Sequence, residues 1–250
     1  MPSGRTRAES CGIWPAYWMF GPNWPNSGEI DILEGVNSQR SNSITLHTAE
    51  GCTMSNTTGS LASTRLTSSN CEGNSGCGQE TESSSNYGVG FNSGGGGYYV
   101  MEWTEDSISV WFIPRDSGEA ARLSAAMDTP SSSSDTADSS SSSSSSDMIS
   151  SLGQPLATFI GGDDCQIANH FAEHNIVFDT TFCGDWAGRV WESDPTCSAL
   201  ASTCEEWVGQ NPEKFVGAYW LINEVRVYQK KKGTNTKKRS VKREAVAFKS

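Results

Sequence analysis

The sequence has no run of apolar residues long enough to cross a bilayer. No stretch approaches the roughly 18–20 needed, in a chain that is 35% hydrophobic with a mean hydropathy of −0.48. A helical membrane protein is thereby excluded. The 25 glycines follow no three-residue period, which excludes collagen. None of the eight cysteines lies in a CxxC pair, so zinc ribbons and thioredoxin-like redox sites have no support. Residues 1–10, MPSGRTRAES, lack the apolar core of a signal peptide. Helix signals are scarce as well. Only residues 197–209, with Ala199, Leu200, Cys204 and Trp207 ahead of Gly209, carry helix-like spacing.

Positive charge is missing from most of the chain. Ten of the eighteen Lys and Arg fall in residues 226–250, against one acid, Glu244. That tail carries about +9 and the rest about −20. A body so acidic repels phosphate backbones, which argues against a nucleic-acid partner. A neutral ligand suits it better. No membrane partner and no cofactor are expected, and the chain is expected to be a monomer.

Aromatics, including nine Trp, make up 10% of the 250 residues, which sets the chain apart from disordered ones. The length suits a single β core. Ile30, Ile32 and then Val36 read as one face of a strand, with Glu29 and Asp31 on the other. Residues 43–48 (SITLHT) and 174–182 (HNIVFDTTF) read as further strands, and 217–229 (GAYWLINEVRVYQ) as a long one. Residues 98–103 and 108–113 form a hairpin across a Thr-Glu-Asp-Ser turn. Residues 50–97 read as loop. Residues 131–151 are low in complexity, with unbroken serine from Ser139 to Ser146, and predict an unstructured insert. Short strands, long Gly/Ser loops and little helix predict an all-β antiparallel sandwich.

An even cysteine count suits disulfides and an oxidising compartment. Cys71 with Cys77 and Cys197 with Cys204 are spaced to close short loops, although eight cysteines allow 105 pairings. The sequon Asn56-Thr57-Thr58 agrees with secretion.

The most informative segment is Gly28-Glu29-Ile30-Asp31-Ile32-Leu33-Glu34-Gly35. On a regular strand Glu29 and Asp31 share a face and Glu34 falls on the other. One extra residue near Ile32 or Leu33, a β-bulge, would return Glu34 to their face. Glu29 and Glu34 would then be roughly 13 Å apart at Cα, and inward-leaning carboxyls about 5–6 Å apart. A retaining glycoside hydrolase needs roughly 5–5.5 Å. Three carboxylates this close cannot all ionise cheaply, so one must hold a proton, as a general acid does. A solvated strand face and a site for a hard cation are the alternatives. Trp14, Tyr17, Trp18 and Trp24 lie within fifteen residues of Glu29, and such rings pack against the apolar faces of sugars.

The stretches Cys11–Trp18 and Gly21–Gly35 closely resemble glycoside hydrolase family 16, most of all its fungal laminarinase-type endo-1,3(4)-β-glucanases, whose pattern is E-x-D-x-x-E. Thr45-Leu46-His47-Thr48, residues 174–188 and Ala218–Asn223 resemble further parts of the same group. The resemblance implies a β-jelly roll of the concanavalin A-like kind, in which residues 1–229 form a catalytic domain interrupted by the insert at 131–151. Residues 230–250 lie outside the resemblance and are expected to be a basic, disordered tail. The family's secretion signal and first strands are expected to be missing here. The resemblance further implies a retaining endo-β-glucanase that cuts internal β-1,3 bonds, and mixed β-1,3/1,4 glucans, outside the cell. Glu29 would be the nucleophile, Glu34 the acid and base, and Asp31 the residue that tunes Glu29. Trp18, Trp24, His47 and Trp186 would line the groove, and no metal is expected. A non-catalytic carbohydrate-binding sandwich and a cell-wall transglycosylase are the competing readings.

Overall fold

The computed structural model describes residues 10–54, 62–128 and 145–229. The sequon at Asn56, residues 131–144 of the serine-rich insert and the tail after residue 229 lie outside them. The chain divides into two units, residues 1–219 and 220–250.

In the first unit, antiparallel strands form two sheets. The larger contains β1 (Ile13–Phe20), β2 (Glu29–Glu34), β3 (Ser43–His47), β4 (Arg65–Ser68), β5 (Cys77–Glu80) and β9 (Asn175–Phe182), in the order β4-β5-β3-β2-β1-β9. The smaller contains β6 (Gly97–Trp103), β7 (Ser107–Pro114) and β8 (Ala157–Ile160). Alternation explains the core between them. Ile30, Ile32, Ile44 and Leu46 from the large sheet pack with Ile108, Val110, Ala157 and Phe159 from the small one. The expected sandwich is therefore present, with the apolar face of β2 turned inward and its acidic face turned away. The hairpin pairs as the sequence predicts, from Trp103 opposite Ile108 to Tyr98 opposite Ile113.

Several elements differ from the sequence reading. Residues 50–97 are not all loop, since β4, β5 and the helix α1 (Gly88–Ser93) lie there. Arg65–Ser68 and Cys77–Glu80 are short and polar, and cross-strand pairing rather than propensity makes them strands. Helix α2 (Gly118–Asp128) was also unsignalled by hydrophobicity, because its residues are mostly small and polar. Its Ala120, Leu123 and Met127 cover Trp111 and Ile113 on the outer face of the small sheet, and the Ser117 hydroxyl caps the Ala120 N–H. The end of the serine-rich segment is helical, as α3 (Ser145–Ser150), with Met148 and Ile149 on the same cluster. A short α4 (Ile167–His170) follows. The helix expected over 197–209 is shorter, α5 (Cys204–Gln210), because Thr203 caps it by accepting from the Glu206 N–H.

The cysteines form four disulfides: Cys11–Cys197, Cys52–Cys165, Cys71–Cys77 and Cys183–Cys204. The expected Cys71–Cys77 loop is present. A Cys197–Cys204 bridge is not, because those two sulfurs meet Cys11 and Cys183 in a cluster around the buried Trp191.

In the second unit, residues 220–229 form no strand, against the alternation that predicts one over 217–229. Alternation yields a strand only where a neighbour takes up its backbone hydrogen bonds. Leu221, Val227 and Tyr228 are 68%, 60% and 53% exposed.

Candidate active site

The bulge expected in β2 is present, and both neighbouring strands register it. Against β1, Leu33 lies opposite Tyr17 and Asp31 opposite Trp18, so Ile32 is the extra residue. Against β3, three steps from Asp31 to Glu34 match two steps from Thr45 to Ser43. Ile32 and Leu33 are both buried, and Glu29, Asp31 and Glu34 come out on one face. A bulge frees backbone groups that a buried strand cannot leave unpaired. Asn42, itself fully buried, takes them: its side-chain amide donates to the Ile32 carbonyl at 2.9 Å and accepts from the Glu34 N–H at 2.8 Å.

Each outer carboxylate has its own indole donor. Trp14 Nε1 donates to Glu34 Oε1 at 2.7 Å, and Trp24 Nε1 donates to Glu29 Oε2 at 2.5 Å. Trp24 is presented by the turn before β2. There Gly28, at φ +74°, packs so tightly on Phe171 that a Cβ would lie 2.5 Å from its ring. The Ser27 carbonyl of this turn lies 2.7 Å from His174 Nε2. Trp18 lies opposite Asp31 on β1 and stacks on Phe20, with ring centroids 4.9 Å apart. Trp186 meets Trp14 edge-on at 5.7 Å. His47 lies opposite Glu29 on β3, with Nε2 3.1 Å from Asp31 Oδ2 and Nδ1 2.8 Å from the Gly73 carbonyl oxygen.

All seven residues singled out in the sequence therefore gather around one face of the sheet. Trp24 and His47 touch the acids of β2, Trp18 lies beside Asp31 and meets Asp179 through its N–H, and Trp186 packs on Trp14. Sequence reasoning missed three residues. Trp14 was noticed among the aromatics but not assigned to the site, although its spacing from Trp18 puts both on one face of β1. Asn42 gave no signal, because its role depends on the bulge. Asp179 lies opposite Ala16 on β9, and Ala16 lies opposite Glu34 on β2, so a fourth carboxyl joins the same face.

The electrostatics follow from crowding and burial. Burial first, then the charge of Asp31, pushes the Glu29 carboxyl up to about 7, against the opposing pull of His47 and the Trp24 N–H. Burial and then Asp31 hold Glu34 well above the usual carboxylate range, with the Trp14 N–H and His47 opposing. Burial alone would lower His47. Its hydrogen bond to Asp31, the charge of Asp31 and the Gly73 carbonyl outweigh that and lift it to about 9. Asp179 is raised by burial, opposed by the Trp18 N–H and helped by the charge of Asp31. These groups exchange protons as a set. Burial favours the protonated form of Glu34, and the imidazolium of His47 offsets negative charge on Asp31 and Glu29. Glu29, Asp31 and His47 each place one ligand atom within 4.8 Å of the others, a spacing that would also admit a cation.

Trp186 also lines an open pocket of about 420 Å³, whose walls include Val36, Gln39, Arg40, Val190 and Asp194 and none of the acids of β2. Asn37 places this region. Its side chain accepts from the Gly12 N–H at 2.9 Å and donates to the Ala187 carbonyl at 2.8 Å.

Comparison with known proteins supplies the family. Residues 5–228 match the description "XgeA-like, catalytic GH16 domain". The chain is similar to the endo-1,3(4)-beta-glucanase of Arthroderma benhamiae, at 39% identity over 240 residues, covering 92% of this chain and 46% of that protein. Among solved structures it is similar to Laminarinase 16A of Phanerochaete chrysosporium, which was determined with beta-glucans in both donor and acceptor sites. The TM-score is 0.69 at 36% identity, over 84% of this chain and 65% of that one. It is also similar to an elongating GH family 16 beta-1,3-glucosyltransferase, with a TM-score of 0.61 at 35% identity, over 85% of this chain and 65% of that one. The chain spans about a third to a half of the length of the curated relatives it matches.

Proposed function

The chain belongs to glycoside hydrolase family 16, and from that premise we propose that it hydrolyses internal β-1,3-glucosidic bonds of β-glucan, including mixed β-1,3/1,4 glucan, with retention at the anomeric carbon. One observation carries the reading. The bulge in β2 sets Glu29, Asp31 and Glu34 on one face and leaves two of them with raised proton affinity.

The chemistry divides between the two outer acids. Glu29, ionised, attacks the anomeric carbon while Glu34 gives its proton to the departing glycosidic oxygen. A glycosyl ester on Glu29 results. Glu34, now a carboxylate, takes a proton from water as the water oxygen attacks the same carbon, and Glu29 leaves as a carboxylate. Asp31 and His47 tune the step. Their charges move the affinity of Glu29 in opposite directions, which keeps it near neutrality, where it can both attack and leave. The Trp24 N–H steadies the carboxylate form of Glu29, and the Trp14 N–H that of Glu34. The indoles of Trp14, Trp18, Trp24 and Trp186 offer flat apolar faces for sugar rings. The four disulfides support action outside the cell, where such bonds persist.

The test is release of reducing ends from laminarin by the chain and by its Glu29→Gln variant. Release by the first only supports the proposal. Comparable turnover by a folded Glu29→Gln protein overturns it. Similarity to an elongating glucosyltransferase supports a second reading, in which a sugar hydroxyl rather than water takes the glycosyl group. Products longer than the starting oligosaccharide would favour it.

A further inference from the structure

We propose that the disulfide-closed loop Cys71–Cys77 is a positioning element of this site, acting through His47 by fixing the direction in which its ring faces Asp31. The proposal rests on the glycosidase reading for its consequence, but the state of His47 can be measured without turnover.

The loop is short and covalently closed. Cys71 and Cys77 are six residues apart, and both are fully buried. Its backbone is laid along the end of β3. The Thr48 N–H donates to the Cys71 carbonyl at 2.8 Å, the Gly73 N–H donates to the Thr48 carbonyl at 3.0 Å, and the Cys71 N–H donates to the Cys52 carbonyl at 3.0 Å. Gly73 is thereby held on its amide side, and its carbonyl oxygen lies 2.8 Å from His47 Nδ1. At the other end of the loop Gly76 adopts φ +59°. A Cβ there would lie 2.6 Å from the Leu46 carbonyl oxygen and 2.8 Å from His47 Cε1. The loop thus holds the imidazole at one nitrogen and packs against its ring edge.

This contact sets the protonation of the other nitrogen. A neutral imidazole has one N–H. With Nδ1 donating to Gly73, a neutral ring would turn a lone pair at Nε2 toward the carboxylate of Asp31, 3.1 Å away. Two acceptors therefore favour the doubly protonated ring. Glu29, Asp31 and Glu34 face it from β2. The loop turns only the Gly73 carbonyl toward it, since its one acid, Glu72, is exposed.

The test compares the parent chain with Cys71→Ser/Cys77→Ser, which opens the loop, and with Gly76→Ala, which keeps the disulfide and crowds the ring. Imidazole NMR resolves His47 readily among three histidines. His47 is expected to titrate about one pH unit lower in either variant. On laminarin, kcat is expected to fall about tenfold with KM within about twofold. In a His47→Gln background, opening the loop should cost less than about twofold. An unchanged His47 titration in a folded variant, or the full kcat loss in the His47→Gln background, overturns the proposal. If the double variant does not fold, Gly76→Ala decides. If the parent chain releases no sugar, the glycosidase reading fails and the NMR titration alone decides the role of the loop.

Discussion

Asn42 holds Glu34 by its backbone: the Asn42 amide oxygen accepts the Glu34 N–H at 2.8 Å, where a strand partner would otherwise stand. Its amide nitrogen donates to Ile32, across the extra residue of the bulge. The placement of Glu34 on the acidic face thus depends on an amide eight residues further along the chain. Asn42→Ala leaves two buried backbone groups unpaired, which costs about 2–4 kcal/mol. Denaturant unfolding should show this loss. Hydrolysis at a temperature where the variant is still folded should fall with it, because Glu34 is no longer held to the face of Glu29. A stable variant with full activity would refute the role.

Glu29→Gln should lower turnover by at least about 10³-fold, since the amide cannot form the glycosyl ester. Its stability should be unchanged or higher, because a crowded buried acid is removed. Laminarin assays and a thermal melt on the same preparation check both.

The pH dependence follows from the raised groups. Activity should fall as pH drops through about 7, where Glu29 takes up its proton. It should fall again at higher pH, when Glu34 loses the proton it donates. Stability runs one way. Glu29, near 7 when folded against 4.5 for an unperturbed glutamate, binds more protons folded, so its contribution fades as pH rises from 4.5 through 7. His47, at about 9 against 6.5, contributes fully below 6.5 and is lost as pH passes 9. Melts should therefore show a more stable protein at pH 5 than at pH 9. The reverse order would contradict the proton sharing described for this site.

Trp14→Phe and Trp24→Phe each remove one indole N–H from an acid while keeping an aromatic face. A hydrogen bond to a charged group is worth about 1.5–3 kcal/mol, so kcat should fall about 10–100-fold in each case. The pH profiles separate them. Trp14→Phe should move the alkaline limb up, and Trp24→Phe should move the acid limb up, because each lost donor had favoured the ionised form.

Removing Cys11–Cys197 as Cys11→Ser/Cys197→Ser should lower stability by about 2–4 kcal/mol, less than its sequence separation of 186 suggests, because other disulfides already constrain the chain it encloses. The melt should shift downward. Activity should be affected least at low temperature, since this bridge ties the region of Trp191 rather than the acids.

The sequence by itself determined the class of fold and the three acids. Period-2 alternation places Ile30, Ile32, Ile44 and Leu46 inside and Glu29 and Asp31 opposite them, because a strand has only two faces. The spacing of five from Glu29 to Glu34 already required a bulge, since without one the acids could not share a face. Long-range pairing was outside its reach. Which cysteine meets Cys11, which carboxyl joins Glu34 across Ala16, and which amide heals the bulge all depend on strand register and on chain segments far apart in sequence. The alternating residues 217–229 mark the same limit from the other side. A local pattern proposes a strand, but only a neighbour with free hydrogen-bonding groups makes one, and that is decided by tertiary structure.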